Sequence, residues 1–256
     1  MESANFHYDR AMLEWQIELG ATEAILDRPV NRYDAPAAEE KPKLAAPSAS
    51  GVTPAVKVDH VAVAESAAAA AGTLDELREA IAAFDLCDLK KGARNLVFSD
   101  GIAGARVMLV GEAPGRDEDV AGKPFVGRAG DLLDKMLAAI RMGRASAQAP
   151  VYITSVLPWR PPQNRDPKPD EIAMMRPFLL RHIELAAPDV LLLAGNWPCQ
   201  ALLGKRGITR LRGQWTEVAG RPALPMFHPA YLLRSPEYKR EAWADLLSLQ
   251  KRLRDG

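Results

Sequence analysis

The sequence predicts an α/β fold, a three-layer αβα sandwich with helices on both faces of a mainly parallel central sheet. Three observations lead there. Short apolar runs alternate with stretches of helical apolar spacing from residue 73 onward. The 256 residues are 48% hydrophobic and 26% charged, the balance of a chain able to bury a core. No stretch approaches the run of about 18 apolar residues that a membrane span requires.

The elements follow in chain order. Residues 11–26 place Met12, Trp15, Leu19 and either Ala24 or Leu26 near helical spacing, a short amphipathic helix. Residues 27–60 are rich in Ala, Pro, Ser, Lys and Glu and read as a flexible linker. The Ala-rich stretch 61–71 suits either helix or linker. Thr73-Leu-Asp-Glu76 has the form of a capping box, opening a helix to about Phe84. Ala105–Val110 is a buried strand, Gly127–Ile140 an amphipathic helix and Val151–Thr154 a second strand. Pro169–Ala187 is a helix expected to kink or break at Pro177. Asp189–Leu193 is a strand and Trp197–Leu203 a short helix. Gln214–Val218 and Leu224–Phe227 are strands on either side of the turn Ala219–Pro222, and Glu237–Arg254 is a long closing helix. The domain reading is a helical appendage over 1–30, an Ala/Pro-rich linker over 31–72 and a compact domain over 73–256.

Charge is unevenly spread although the formal net is zero. Residues 1–80 hold 7 Lys/Arg against 14 Asp/Glu, whereas residues 201–256 hold 11 against 5. A basic C-terminal part suits a polyanionic partner, and a plain solvated surface suits it too. Cys87 and Cys199 are too few for a disulfide framework or a four-thiolate metal site. The N-terminus lacks a basic stretch followed by an apolar one, so a cytoplasmic location is expected.

Ligands of open α/β sheets bind outside the carboxyl ends of the strands. Three polar segments leave those ends. The first is Gly111-Glu-Ala-Pro-Gly115, running on to Pro124-Phe-Val-Gly127. It fits neither phosphate-binding glycine pattern, and its acids argue against a phosphate cradle; an acidic surface loop is the plainer alternative. Yet Glu112 directly follows a buried strand, and Phe125 in a Gly/Pro loop is well placed to stack on a planar ligand. The second is Ser155 with the loop containing Arg160, Asn164 and Arg165, whose guanidiniums could meet phosphates or merely decorate a Pro-rich connection. The third is His228-Pro-Ala-Tyr-Leu-Leu-Arg234. There Leu232 and Leu233 beside Arg234 suit either a wedge entering a base stack or a staple onto the last helix.

Together these segments resemble the family-4 uracil-DNA glycosylases of the uracil-DNA glycosylase superfamily, over roughly Phe84 to Arg254 and in the family's order. The resemblance implies a DNA repair enzyme that flips a uracil-bearing nucleotide and hydrolyses its glycosidic bond, leaving an abasic site. It implies Glu112, His228, Asn164 and Glu118 as catalytic residues, and Ala113, Phe125 and Ser155 as base-binding ones. Leu232, Leu233, Arg234, Arg160 and Arg165 would meet DNA, single- or double-stranded, and the protein would act as a monomer. Two departures stand out. The family's four cluster-binding cysteines align with Phe84, Cys87, Trp159 and Met175, so neither a [4Fe–4S] cluster nor a divalent metal is expected. Ser155 stands where the family carries an asparagine that reads the uracil edge, so other deaminated or 5-substituted bases are expected to be accepted. The alternative reading is a non-catalytic binder of uracil-containing or damaged DNA.

Overall fold

The computed structural model describes residues 10–12, 14–16 and 59–255, in two units, Met1–Val56 and Lys57–Gly256. In the first unit the described residues are helical, with Arg10 Nε 2.9 Å from Glu14 Oε1 and Met12 and Trp15 exposed. The rest of the helix expected over 11–26, and residues 31–58 of the linker expected over 31–72, lie outside the described residues.

The second unit begins with α1, His60–Ala70, inside the stretch expected as linker. Asp59 caps it, its Oδ1 accepting from the amides of Val61 and Ala62. Ala64 and Ala68, one turn apart, are buried, because methyl side chains let α1 approach α6 (Pro169–Ala186) closely. The compact unit therefore starts before Thr73. Next, α2 (Leu74–Ala83) has Thr73 Oγ1 accepting from the Glu76 amide, while the Glu76 carboxylate takes the amide of Gly72. A short α3 follows at Leu89–Gly92.

The sheet holds β1 (Asp100–Gly101), β2 (Val107–Gly111), β3 (Val151–Ser155), β4 (Val190–Ala194), β5 (Thr216–Val218) and β6 (Arg221–Met226). Their order is β1-β3-β2-β4-β6-β5, the inner four parallel and both edges antiparallel. Alternation along the strands makes two cores. Val107, Leu109, Ile153 and Leu192 join Leu133 and Leu137 of α5 (Gly127–Ala139) and Leu246 and Leu249 of α10 (Lys239–Asp255). Met108, Val110, Tyr152, Leu191 and Leu193 join Leu77 and Phe178 on the other face. The sheet is thus the middle of three layers, as expected.

Helix α6 continues through Pro177 as a single element, against the expected interruption. The β5–β6 turn is only Ala219-Gly220, both with positive φ, since Val218 already pairs with Arg221. Among the described residues no helix is long and apolar enough to cross a membrane. Strand β2 lies between β3 and β4, so successive connections leave it in opposite directions and open a crevice above its carboxyl end.

Candidate active site

The crevice is built where β2 and β3 end together. Their pairing runs to Gly111 beside Ser155, and beyond it Val156 and Leu157 donate to the carbonyls of Gly111 and Glu112. Gly111 is required there. A Cβ on it would lie 2.5 Å from Cε2 of Phe125 and 3.1 Å from the Ser155 hydroxyl. Phe125 sits at φ 53°, a conformation costly for an aromatic residue, and its ring stacks on His228 at 5.2 Å between centroids.

Glu112 is partly buried beside a fourth strand end. Its Oε1 accepts from the Asn196 amide at 3.1 Å, at the start of α7 (Asn196–Leu203). Gly195 has φ 103°, and a Cβ there would strike Oε1 at 2.2 Å. Burial pushes the Glu112 carboxyl up to about 7, opposed by the Asn196 and Trp197 amides and by Arg234, and reinforced by Asp166. The pair Gly195–Asn196 was not singled out from sequence. The signal was a glycine directly after a buried strand and before a helix.

His228 caps α9 (Pro229–Arg234), its Nδ1 accepting from the Ala230 amide at 3.1 Å. A neutral ring bonded this way carries its proton on Nε2. Burial, with Arg234 adding to it, lowers its pKa to about 4, so the ring is neutral at physiological pH. Aromatic ring, hydroxyl and neutral imidazole therefore come together at the ends of β2, β3 and β6, while the carboxyl that follows β2 is held at the start of α7, after β4.

Other expected residues stand differently. The segment carrying Leu232 and Leu233 is a helix, and Leu232 is 1% exposed within the core. Leu232 is thus a packing residue, while Leu233 is half-buried and Arg234 exposed. Glu118 Oε2 accepts from the Gly115 amide at the start of α4 (Arg116–Ala121), a capping bond. Asn164 is exposed at φ 53° with its Oδ1 taken by Arg160 Nε at 2.7 Å. Among the described residues no hydrogen bond joins it to Glu112 or His228. Arg165 forms a two-point pair with Glu171 at the start of α6, which removes it from the set of free phosphate contacts. Ala113 lies half-buried in the loop after β2. A cavity of about 720 Å³ lies elsewhere, lined by residues of α1 and α6 together with Ala219 and Arg221. Its Arg176, Arg181 and Arg221 donate to the carbonyls of Ala201, Ala71 and Pro188.

The Uracil DNA glycosylase superfamily profile matches residues 98–247. The chain belongs to that superfamily. The Type-4 uracil-DNA glycosylase of Archaeoglobus fulgidus is 39% identical over 182 residues, 68% of this chain and 89% of the relative. That of Thermotoga maritima is 40% identical over 165 residues, 62% and 84% of the two chains. The match places the superfamily's common core within the second unit.

The cluster that the resemblance implies does not fit the side chains present. Phe84, Cys87, Trp159 and Met175 are all buried in one hydrophobic core, with Phe84 packed edge-on against Phe178. They offer a single thiol, and burial pushes the Cys87 thiol up, away from the thiolate a cluster needs. Among the described residues no group of three or more His, Cys, Asp or Glu could hold a metal ion.

Proposed function

We propose that this protein is a monofunctional uracil-DNA glycosylase. The observation that carries the reading is the stacking of Phe125 on His228 at the sheet end that Glu112 also leaves, in a chain of this superfamily whose relatives bear the name Type-4 uracil-DNA glycosylase. The target nucleotide leaves the stack and enters the crevice, where Phe125 stacks on the base. Ser155 and the backbone near Ala113 meet its polar edge. Water attacks C1′ of the sugar as the bond to N1 of the base breaks, and the bonding pair passes to the pyrimidine ring. Glu112 as carboxylate accepts the water's proton and faces the developing sugar cation. His228 donates from Nε2 to O2 of the leaving base; such a donor contributes about 3–4 kcal/mol.

Leu233 and Arg234 fill the vacated stack, and Arg160 meets the phosphodiester backbone. The asparagine expected to orient water, Asn164, is assigned no step. Of the lysines in the three motifs, only Lys123 could serve as a catalytic amine, and it lies 3.7 Å from Asp100 in an ion pair, which supports hydrolysis without strand cleavage. The protein acts as a cytoplasmic monomer without iron–sulfur cluster or divalent metal, the apolar packing of Phe84, Trp159 and Met175 standing in for a structural cluster. Ser155, with one rotatable hydroxyl, extends the range to other deaminated or 5-substituted bases.

The test is incubation with end-labelled uracil oligonucleotides, single- and double-stranded, followed by alkali. Cleavage at the uracil position after alkali alone supports the reading. Binding without abasic sites makes the protein a DNA-binding module instead, and a borohydride-trapped adduct makes it bifunctional.

A further inference from the structure

The ring of Phe125 has to stay over the crevice although its backbone occupies a conformation that costs of the order of 1–3 kcal/mol. Something must hold it. Two features do. On one side Gly130 of α5 lets the Phe125 carbonyl press against the helix, since a Cβ there would lie 1.8 Å from that oxygen. On the other side stands Arg144, from the connection between α5 and β3, outside all three motifs.

Arg144 donates from Nη2 to the Phe125 carbonyl at 2.9 Å and from Nη1 to the Pro124 carbonyl at 3.1 Å. Two further donors are anchored: Nη1 to Asp100 Oδ2 at 2.8 Å and Nε to Asp134 Oδ1 at 2.9 Å. The side chain is 17% exposed. Asp100 lies on the edge strand β1 and Asp134 on α5, so the guanidinium ties two rigid elements to the two consecutive carbonyls that set the loop's path. A planar fork can satisfy these four acceptors at once, whereas an ammonium, a single point with three donors, cannot span them.

We propose that Arg144 is a positioning residue for base recognition, acting on the flipped base solely through the backbone of Pro124–Phe125. This inference rests on the proposed glycosylase function and names the part that holds the stacking ring. Arg144 touches neither base nor sugar. Its removal should loosen the ring and weaken base binding while leaving the Glu112 and His228 chemistry in place.

The experiment is a double-mutant cycle of Arg144→Lys and Phe125→Leu. It reads inhibition of the reaction by free uracil together with single-turnover excision on a uracil oligonucleotide. Wild-type excision is measured first; its absence sinks the glycosylase reading and leaves the clamp to be judged by uracil binding alone. Arg144→Lys is expected to raise the half-inhibitory uracil concentration about 10-fold, the scale of one base–aromatic stack. It should leave the pH dependence of the rate unchanged, and in the Phe125→Leu background it should add less than about 2-fold, because the ring it positions is gone. Unaltered uracil inhibition in Arg144→Lys overturns the proposal, and so do two effects that multiply in full. If Arg144→Lys does not fold, the same cycle with Asp134→Asn, which frees one half-exposed anchor, decides by the same criteria.

Discussion

The most exacting consequence of the site concerns pH. Glu112 must be ionised to accept the water's proton, and its carboxyl is held at about 7 by burial beside the Asn196 and Trp197 amides. In kcat/KM the free enzyme should therefore show one ascending limb with an apparent pKa near 7. At pH 5 about one Glu112 in a hundred is ionised, so the rate should fall roughly 100-fold below its plateau. His228 adds no limb in this window, since its ring is lowered to about 4 and stays neutral above pH 5. Glu112→Gln should remove the limb and lower the plateau by about 100-fold or more. The same shift has a stability signature. The folded state holds the Glu112 proton more tightly than the unfolded chain, so the group stabilises fully below about 4.5, the ordinary value, and the contribution is lost as pH rises through about 7. The loss reaches up to about 3 kcal/mol. Glu112→Gln should accordingly melt above wild type at pH 8 and nearly with it at pH 5. The assay is single-turnover excision from pH 5 to 9 with melting curves at both ends. A flat wild-type profile, or a limb that survives in Glu112→Gln, would refute the assignment of Glu112 as the base.

Other expectations follow from particular residues. Leu232→Ala should destabilise the fold by about 2–5 kcal/mol as a core truncation, whereas Leu233→Ala should leave the melting temperature nearly unchanged and slow excision from duplex more than from single strands. Ser155→Asn should restore an amide to the base edge and sharpen discrimination, narrowing a base panel toward uracil; an identical panel in both proteins would count against Ser155 as the source of breadth. His228→Ala should lower the single-turnover rate about 100-fold through loss of one donor, with unchanged rates removing it from that role. Purified protein should be colourless and free of stoichiometric iron, and a brown absorbance band with about four irons per chain, the content of one such cluster, would contradict the apolar packing of Phe84, Trp159 and Met175 as its replacement.

Much of the architecture was legible because it rests on periodicity. The runs 107–110, 151–154 and 190–193 are apolar on both faces, as inner parallel strands covered by two helical layers must be. The placement of Glu112, Ser155 and His228 at strand ends follows from the rule that ligands bind where parallel strands terminate; Phe125 packs on His228 and beside Gly111 and Ser155, and Glu112 turns toward Gly195 and Asn196. Less was legible where composition is ambiguous. The alanines of α1 have no amphipathic contrast and become a helix face only because α6 supplies a surface for Ala64 and Ala68. Pro177 reads as a kink or a break, but tertiary packing on both sides of it keeps α6 as one element.

By itself, then, the sequence determined the layered fold, the order of its elements and the chemical kinds that line the crevice, because apolar spacing and strand-end position are local properties. Which copies of those kinds face the crevice was decided only in three dimensions. Leu232 and Leu233 are adjacent and chemically identical, yet helix α9 turns one into the core and leaves the other half-exposed. Glu112 and Glu118 are both acids of one loop, yet one meets the start of α7 and the other caps its own helix. Arg144 and Asn196 act across gaps of 19 and 84 residues, where no sequence pattern links partner to partner. Hydrogen-bond geometry between distant segments exists only once the sheet has brought them together.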